Sequence, residues 1–236
     1  MSAITLKIDK YFYPGYENYW DIFLFKNRIN QFLKPDSIVL DIGAGAGIVP
    51  LNFKGRALQI CGVDPDQRVM QNPYLDEAKT GYAESIPYGD ETFDIVLCTH
   101  LVEHLAKPQE AFREIHRVLK KNGLFFIKTV NKHHYVSLLA RITPLSFHKF
   151  YNSTRGRKTE DTFKTYYRAN SENQIRKYAE TAGFRIDKIE LIEGRPEYLR
   201  IAWPCYLLGT GYERIVNCSG LMRHFRAVIF ACLRKA

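Results

Sequence analysis

The chain has 236 residues, 34 Lys and Arg against 25 Asp and Glu, and 46% hydrophobic residues. This length accommodates one sizeable α/β domain, with room for a lid or insertion. Five dispersed cysteines with no Cys-x-x-Cys pair suit a reducing cytoplasm better than a disulfide framework.

No basic-then-apolar leader pattern opens the chain and no apolar run reaches the length of a bilayer span, so the expectation is a cytoplasmic protein. Peripheral contact with the inner face of a membrane stays open. Charge is uneven. Met1–Val130 carries 15 basic and 16 acidic side chains, whereas Asn131–Ala236 carries 19 and 9. The second half is therefore expected to meet something anionic, unless it is only a solvated basic surface.

Residues 1–35 read as an N-terminal helical extension. Met1–Gly15 is tyrosine-rich and irregular in pattern, and Tyr16–Leu33 places Trp20, Phe23, Leu24, Ile29, Phe32 and Leu33 on a helical repeat that Pro35 stops. Ile38-Val39-Leu40 is a β-branched and aliphatic run of the kind that forms a buried parallel strand. Asp41 closes it. Gly43, Ala44, Gly45 and Gly47 then make a turn that lets a ligand approach the backbone, with a helix expected to about Phe53.

A dinucleotide fingerprint needs a glycine where this chain has Ile48, and Asp41 would repel a pyrophosphate, so a nicotinamide dehydrogenase fits poorly. A carboxylate there suits a cation such as the ammonium of a methionine moiety. The second strand, Leu58–Val63, ends in Asp64-Pro65, where an acidic group accepts ribose hydroxyls.

Asp41-Ile-Gly-Ala-Gly-Ala-Gly47 together with Asp64 resembles motifs I and II of class I S-adenosylmethionine (SAM) dependent methyltransferases. The resemblance implies a Rossmann-like seven-stranded sheet, six strands parallel and one antiparallel, with helices on both faces and SAM as cofactor. Gly81–Tyr88, followed by the strand Phe93–Cys98, is similar to the small-molecule, quinone-pathway-like branch, in which such a segment lines the adenine. It implies cofactor contacts from Ala83, Glu84, Ser85, Cys98 and Thr99. Tyr82 stands where that branch carries an acid. Asn72-Pro73-Tyr74 resembles part of an amino-methylation signature, but it lacks one proline and follows the wrong strand.

Thr99–Leu105 follows the fourth strand, so His100 is expected near the reacting centre, with His104 and His133 behind it as candidate bases. His100-x-x-Glu103-His104 also matches an inverted zinc-protease motif. The long helix of that motif is missing, and His100 replaces the first glutamate of the related Glu-x-x-Glu-His, so no metal is assigned. A helix is expected over Lys107–Lys121, ended by Asn122-Gly123, and a fifth strand over Leu124–Val130.

Residues 36–130 thus form the cofactor-binding half of a single domain. Residues 131–170 are long, basic and aromatic and read as an acceptor lid, with a helix at Ser137–Ile142 and a mobile loop at Ser153–Thr165. Tyr166, Arg168 and Arg195 are candidates to orient an anionic acceptor. A helix over Ser171–Ala182, a sixth strand over Phe184–Ile192 and an antiparallel final strand over Phe225–Leu233 follow. Between the last two, residues 193–223 hold the apolar run Tyr198–Leu208, which reads as core or dimer face, as a pocket wall, or as a membrane-surface element.

The expected reaction is methyl transfer to an acceptor hydroxyl, with nitrogen or carbon behind it. The acceptor is a small or lipid-linked molecule, anionic, such as a glycan or glycolipid precursor. The rival from another class is an RNA-binding methyltransferase or a catalytically silent RNA-binding module. It is disfavoured by the lack of an appended RNA-binding domain.

Overall fold

The computed structural model describes residues 3–16, 20–47, 51–142 and 164–236. Seven strands form one sheet: β1 Ile38–Ile42, β2 Gln59–Asp64, β3 Glu77–Thr80, β4 Phe93–Thr99, β5 Leu119–Val130, β6 Phe184–Ile192 and β7 Val228–Lys235, in the order β3-β2-β1-β4-β5-β7-β6. The pairs β1–β2, β1–β4, β2–β3 and β4–β5 are parallel. β7 runs the other way beside β5. Asn131, just past the end of β5, donates its N–H to Ala227 O just before β7 (2.7 Å). At the opposite end, Lys235 Nζ donates to Leu119 O (2.7 Å). The expected mixed Rossmann-like sheet is what the chain forms.

Contacts gather the chain into two units. One comprises Phe25–Val130, Phe163–Glu190 and Ile229–Ala236 and holds the body of the sheet. The other comprises Met1–Leu24, Asn131–Thr162 and Leu191–Val228. Residues 1–24 of the N-terminal extension, most of the lid and the late insertion therefore fall in one unit, while residues 25–35 fall with the sheet.

In the sheet unit, α3 (Pro108–Val118) buries Ala111, Phe112, Ile115 and Val118, a 3–4 spacing that turns one stripe inward. Phe112 meets Phe125 of β5 edge to face at 5.5 Å, and burying such a ring stabilises by about 2–3 kcal/mol. The helix stops at Val118, short of the expected Lys121, because Leu119 already pairs with Phe93 in the sheet. α5 (Glu172–Thr181) starts where expected. Ser171 Oγ accepts from Gln174 N as its cap, and Gly183 follows with φ +91°.

The other unit corrects the N-terminal reading. Residues Ala3–Phe12 form a helix, α1, not an irregular stretch. Its Ile8, together with Tyr13, packs on the buried Tyr206 of α6 (Trp203–Cys218). Asp9 is bonded by the Tyr206 hydroxyl and by Arg200. Burial alone would raise the Asp9 pKa, but these donors hold it below the ordinary carboxylate value. Those partners, distant in sequence, hold a helix whose local pattern is weak.

Helix α2 (Trp20–Asn30) also differs in phase. Ile22, Phe25 and Ile29 are its buried residues, while Phe23 and Leu24 face outward. α4 spans Tyr135–Ile142, two residues longer than expected at its start. The loop expected at Ser153–Thr165 lies mostly outside the described residues.

Candidate SAM and acceptor site

The site is built at the carboxyl ends of β1, β2, β4 and β5, where the strand order reverses between β1 and β4. After β1, Gly43, Gly45 and Gly47 adopt φ of +77°, +50° and +78°, a region that a side chain resists. Gly43 N donates to Val63 O (2.8 Å). Gly45 N donates to Asp64 Oδ2 (3.0 Å), and Asp66 N donates to Asp64 Oδ1 (2.8 Å). One carboxylate thus ties the turn after β1 to the turn after β2. Leu51–Phe53 is not helical, so the expected helix does not reach Phe53; residues 48–50 lie outside the described residues.

Asn72 was set aside in the sequence and proves to hold the same turn. Its Nδ2 donates to Ala44 O (3.0 Å) and Gly45 O (3.2 Å), and a Cβ on Gly47 would stand 2.7 Å from its Oδ1. Burial, and then the charge of Asp64, push the Asp41 carboxyl up to about 7.

The adenine-side segment is fixed from α3. Glu114 Oε2 accepts from Ile86 N (3.0 Å), and Arg117 donates to Ile86 O, Tyr88 O and Asp90. Within that segment Ala83 is buried, Glu84 is half-buried and Ser85 is exposed, while Pro65 stands exposed after β2. Cys98 is fully buried, and burial, with Glu103 and Asp41 behind it, raises its thiol well above the ordinary value. It is a core side chain rather than a nucleophile. Thr99 Oγ1 is buried with no partner among the described residues.

Beyond β4 the acceptor side begins. His100 has φ +55° and is held there by donating its N–H to Lys128 O (2.8 Å). Its Nδ1 lies 3.2 Å from Glu103 Oε1, and its Nε2 lies 2.5 Å from Lys128 Nζ. Lys128 is a lysine 1% exposed near the carboxyl end of β5. Glu103 is buried too. Its other oxygen accepts from Thr129 Oγ1 (2.6 Å), which in turn accepts from Asn170 Nδ2 (2.8 Å).

Burial would raise Glu103, but His100, followed by Thr129, outweighs it and holds the carboxyl at about 2. An ionised Glu103 can only accept, so Nδ1 of His100 is the nitrogen that donates to it, while Nε2 faces Lys128 Nζ.

The remaining candidates divide. Tyr166 N donates to Glu103 O (2.8 Å), and Arg168 donates to Ala106 O (2.7 Å) while stacking over the Tyr166 ring at 5.4 Å. Both are therefore brought to the loop that carries His100. His104 turns its Nδ1 to Lys164 O at 2.9 Å, and it lies close enough to add to the lowering of Glu103. His133 and Arg195 belong to the other unit. Arg195 departs from its expected role: it is 6% exposed and neutralised by Glu197 (2.6 Å) and Asp9 (3.3 Å).

Sequence reasoning missed Lys128, Thr129, Asn170 and Asn72. The signal for the first two was a lysine and a threonine inside an otherwise apolar strand.

A methyltransferase-domain family model matches residues 20–189, most of the chain. The chain belongs to that family. Its fold is that of the class I SAM-dependent members, and SAM is the cofactor the family assigns. Over 98 residues it is 36% identical to the uncharacterized methyltransferase YcgJ of Bacillus subtilis, covering 38% of this chain and 39% of that one. Over 116 residues it is 29% identical to the ubiquinone biosynthesis O-methyltransferase of Pseudomonas entomophila, covering 44% and 49%. The chain thus spans less than half the length of these curated relatives.

Among solved structures, YcgJ superposes with a TM-score of 0.54 at 18% identity, over 90% of this chain and 98% of that one. A SAM-dependent methyltransferase of Methanosarcina mazei gives 0.57 at 18%, over 88% and 96%. The cyclase SpnF gives 0.59 at 20%, over 90% and 80%. At these identities the likeness concerns the fold, which hosts more than one chemistry.

The methyltransferase turn fits SAM on its own features. Among the described residues a Cβ on Gly45 would meet nothing within 4 Å and the Thr99 hydroxyl has no partner, and Asp41 and Asp64 offer carboxylates at adjacent strand ends.

Proposed function

We propose that the chain moves the methyl group of SAM to a hydroxyl of a small anionic acceptor. The observation that carries the reading is His100, held by Glu103 at Nδ1 and faced by Lys128 at Nε2, at the mouth of the family's cofactor turn. Asp41 and Asp64 would hold the ammonium and ribose of SAM, with the Gly43–Gly47 backbone between them. Bound SAM supplies an electrophilic methyl and its own leaving group, so the chain needs no covalent nucleophile. It has to align the acceptor and take a proton.

His100 takes the hydroxyl proton at Nε2, and Glu103 stabilises the imidazolium that results. Lys128 occupies that nitrogen first. A negative group on the acceptor draws the ammonium from the ring toward itself and leaves Nε2 free beside the hydroxyl. Arg168, stacked on Tyr166, adds a second cation on the same loop. An acceptor without negative charge would leave the base capped. The similarity to ubiquinone-pathway O-methyltransferases supports oxygen as the methylated atom.

The test is incubation of lipid and glycan extracts with methyl-labelled SAM and the protein, followed by mass spectrometry. A labelled anionic methyl ether, absent with His100→Ala, is the expected result. Label on RNA, or on an uncharged product, would overturn the reading.

A further inference from the structure

Helix α6 turns Tyr206, Gly209, Thr210, Glu213 and Val216 inward. The opposite side carries Trp203, Leu207, Leu208 and Ile215, of which Leu208 is 76% and Ile215 57% exposed. Pro204, Gly211, Arg214, Asn217 and Cys218 are exposed with them, and Arg214 is the charged residue of that set. A run of large apolar side chains on the open side of a helix marks a surface that meets something.

The helix that packs on α6 repeats the pattern. α1 turns Ile8 inward toward Tyr206 and leaves Ile4, Leu6 and Tyr11 exposed, with Lys7 and Lys10 exposed among them.

Charge decides what covers this surface. The acidic groups of the two helices point inward: Asp9 to Arg195, Arg200 and Tyr206, and Glu213 to Tyr13 and Asn217. Glu197, before α6, is held by Arg195 and Arg200. The basic Lys7 and Lys10 stay outside with the apolar side chains, and Arg214, exposed beside them, pairs back to Glu213 (3.3 Å) and donates to Phe12 O (3.2 Å). By sequence the whole unit carries thirteen Lys and Arg against eight Asp and Glu. Two such surfaces repel each other, whereas a negatively charged one attracts them. An exposed Trp, aliphatic side chains and flanking lysines are also the set that enters a headgroup layer without spanning it. No helix among the described residues is long and apolar enough to cross.

We propose that α1 and α6 form a docking face for an anionic lipid bilayer. Trp203, Leu207, Leu208 and Ile215 enter the headgroup–acyl boundary, and Lys7, Lys10 and Arg214 lie over the anionic headgroups. The proposal is independent of the methyl-transfer reading, because docking needs neither cofactor nor acceptor.

The experiment is sedimentation of the full chain with vesicles of phosphatidylcholine alone or of phosphatidylcholine and phosphatidylserine at three to one. Binding is expected to the mixed vesicles, weakened by salt. Leu207→Ser/Leu208→Ser should reduce it more than tenfold, and Lys7→Glu/Lys10→Glu should reduce it at least as much, since each charge near such a surface contributes about fivefold. Calorimetry with SAM and a melting curve serve as folding controls, and both are expected to be unchanged. Absence of binding, equal binding to both vesicles, or a solution dimer that Leu208→Ser dissolves would each overturn the proposal, the last by making a second copy the cover.

Discussion

Lys128 Nζ and His100 Nε2 stand 2.5 Å apart, inside a strand-end environment that buries the lysine. With Nδ1 facing the ionised Glu103, the imidazole is expected to be the Nδ1–H tautomer, neutral while Lys128 caps it. Nitrogen-15 NMR of labelled protein reads this directly, and an Nε2–H tautomer in the free protein would refute the arrangement. With the acceptor in hand, His100→Ala should lower turnover by roughly 10²–10⁴ while SAM affinity stays within about twofold. Lys128→Met should raise KM for an anionic acceptor, whereas Lys128→Arg should restore part of it.

Glu103 links this pair to folding. Its carboxyl lies at about 2 in the folded protein, below the roughly 4.3 of a free glutamate. A depressed carboxylate stabilises above its unfolded value, and that contribution fades as pH falls from about 4 toward 2. The difference corresponds to about 3 kcal/mol at neutral pH. Glu103→Gln is therefore expected to lower the melting temperature at pH 7 and to flatten the decline of stability below pH 4. Parallel acid profiles for variant and wild type would sink this account.

Asp41 works in the opposite sense. With its carboxyl pushed up to about 7, it is partly protonated in the ligand-free protein at neutral pH. The ammonium of SAM pairs only with the ionised form, so affinity should fall as pH drops from about 7.5 to 5.5, approaching tenfold per pH unit at the acid end. Calorimetry across that range should show proton release on binding near pH 7. Asp41→Asn should bind weakly and with little pH dependence. An unchanged slope in that variant would dissociate Asp41 from the ligand.

Asp64 would have two duties, because its carboxylate accepts from Gly45 N and Asp66 N and is the proposed acceptor for the ribose. Asp64→Ala should weaken SAM ten- to a hundredfold, the range for losing a charged acceptor of about 1.5–3 kcal/mol. Asp64→Asn keeps one carbonyl oxygen for the turn and should lose less. NAD binding more tightly than SAM in the same calorimeter would refute the cofactor assignment.

What the sequence made legible, and what it hid, follows from where the partners lie. β1, the glycine turn and Asp64 are local patterns, and β6 falls on the expected Phe184–Ile192. α1 was hidden because Ile8, Asp9 and Tyr13 find Tyr206, Arg200 and Thr210 nearly two hundred residues away. β3 was hidden because Glu-Ala-Lys-Thr is a half-exposed edge strand with no apolar alternation. Asn72 was misjudged on motif grammar, although a polar side chain beside Gly47 is what lets two carbonyls of the turn be satisfied. Lys128 passed as strand fabric. Its meaning appears only when parallel pairing sets Thr99 beside it and His100 next in line.

The glycine turn allows the sharpest separation of binding from folding. Gly45 has φ +50°, yet a Cβ there would meet nothing within 4 Å. Gly45→Ala therefore costs about 1–2 kcal/mol of backbone strain and no clash with the described residues. The new methyl group would occupy the open side of the turn, where SAM must approach, so affinity should fall more than tenfold while the melting point drops only a few degrees. Gly47→Ala differs, because its Cβ would stand 2.7 Å from Asn72 Oδ1 and 3.0 Å from Pro73 Cδ. Moving Asn72 withdraws its bonds from Ala44 O and Gly45 O, so this variant should lose stability and SAM affinity together. Paired melting curves and calorimetry distinguish the two variants. Wild-type SAM affinity in Gly45→Ala would mean that the ligand does not approach the turn from its open side.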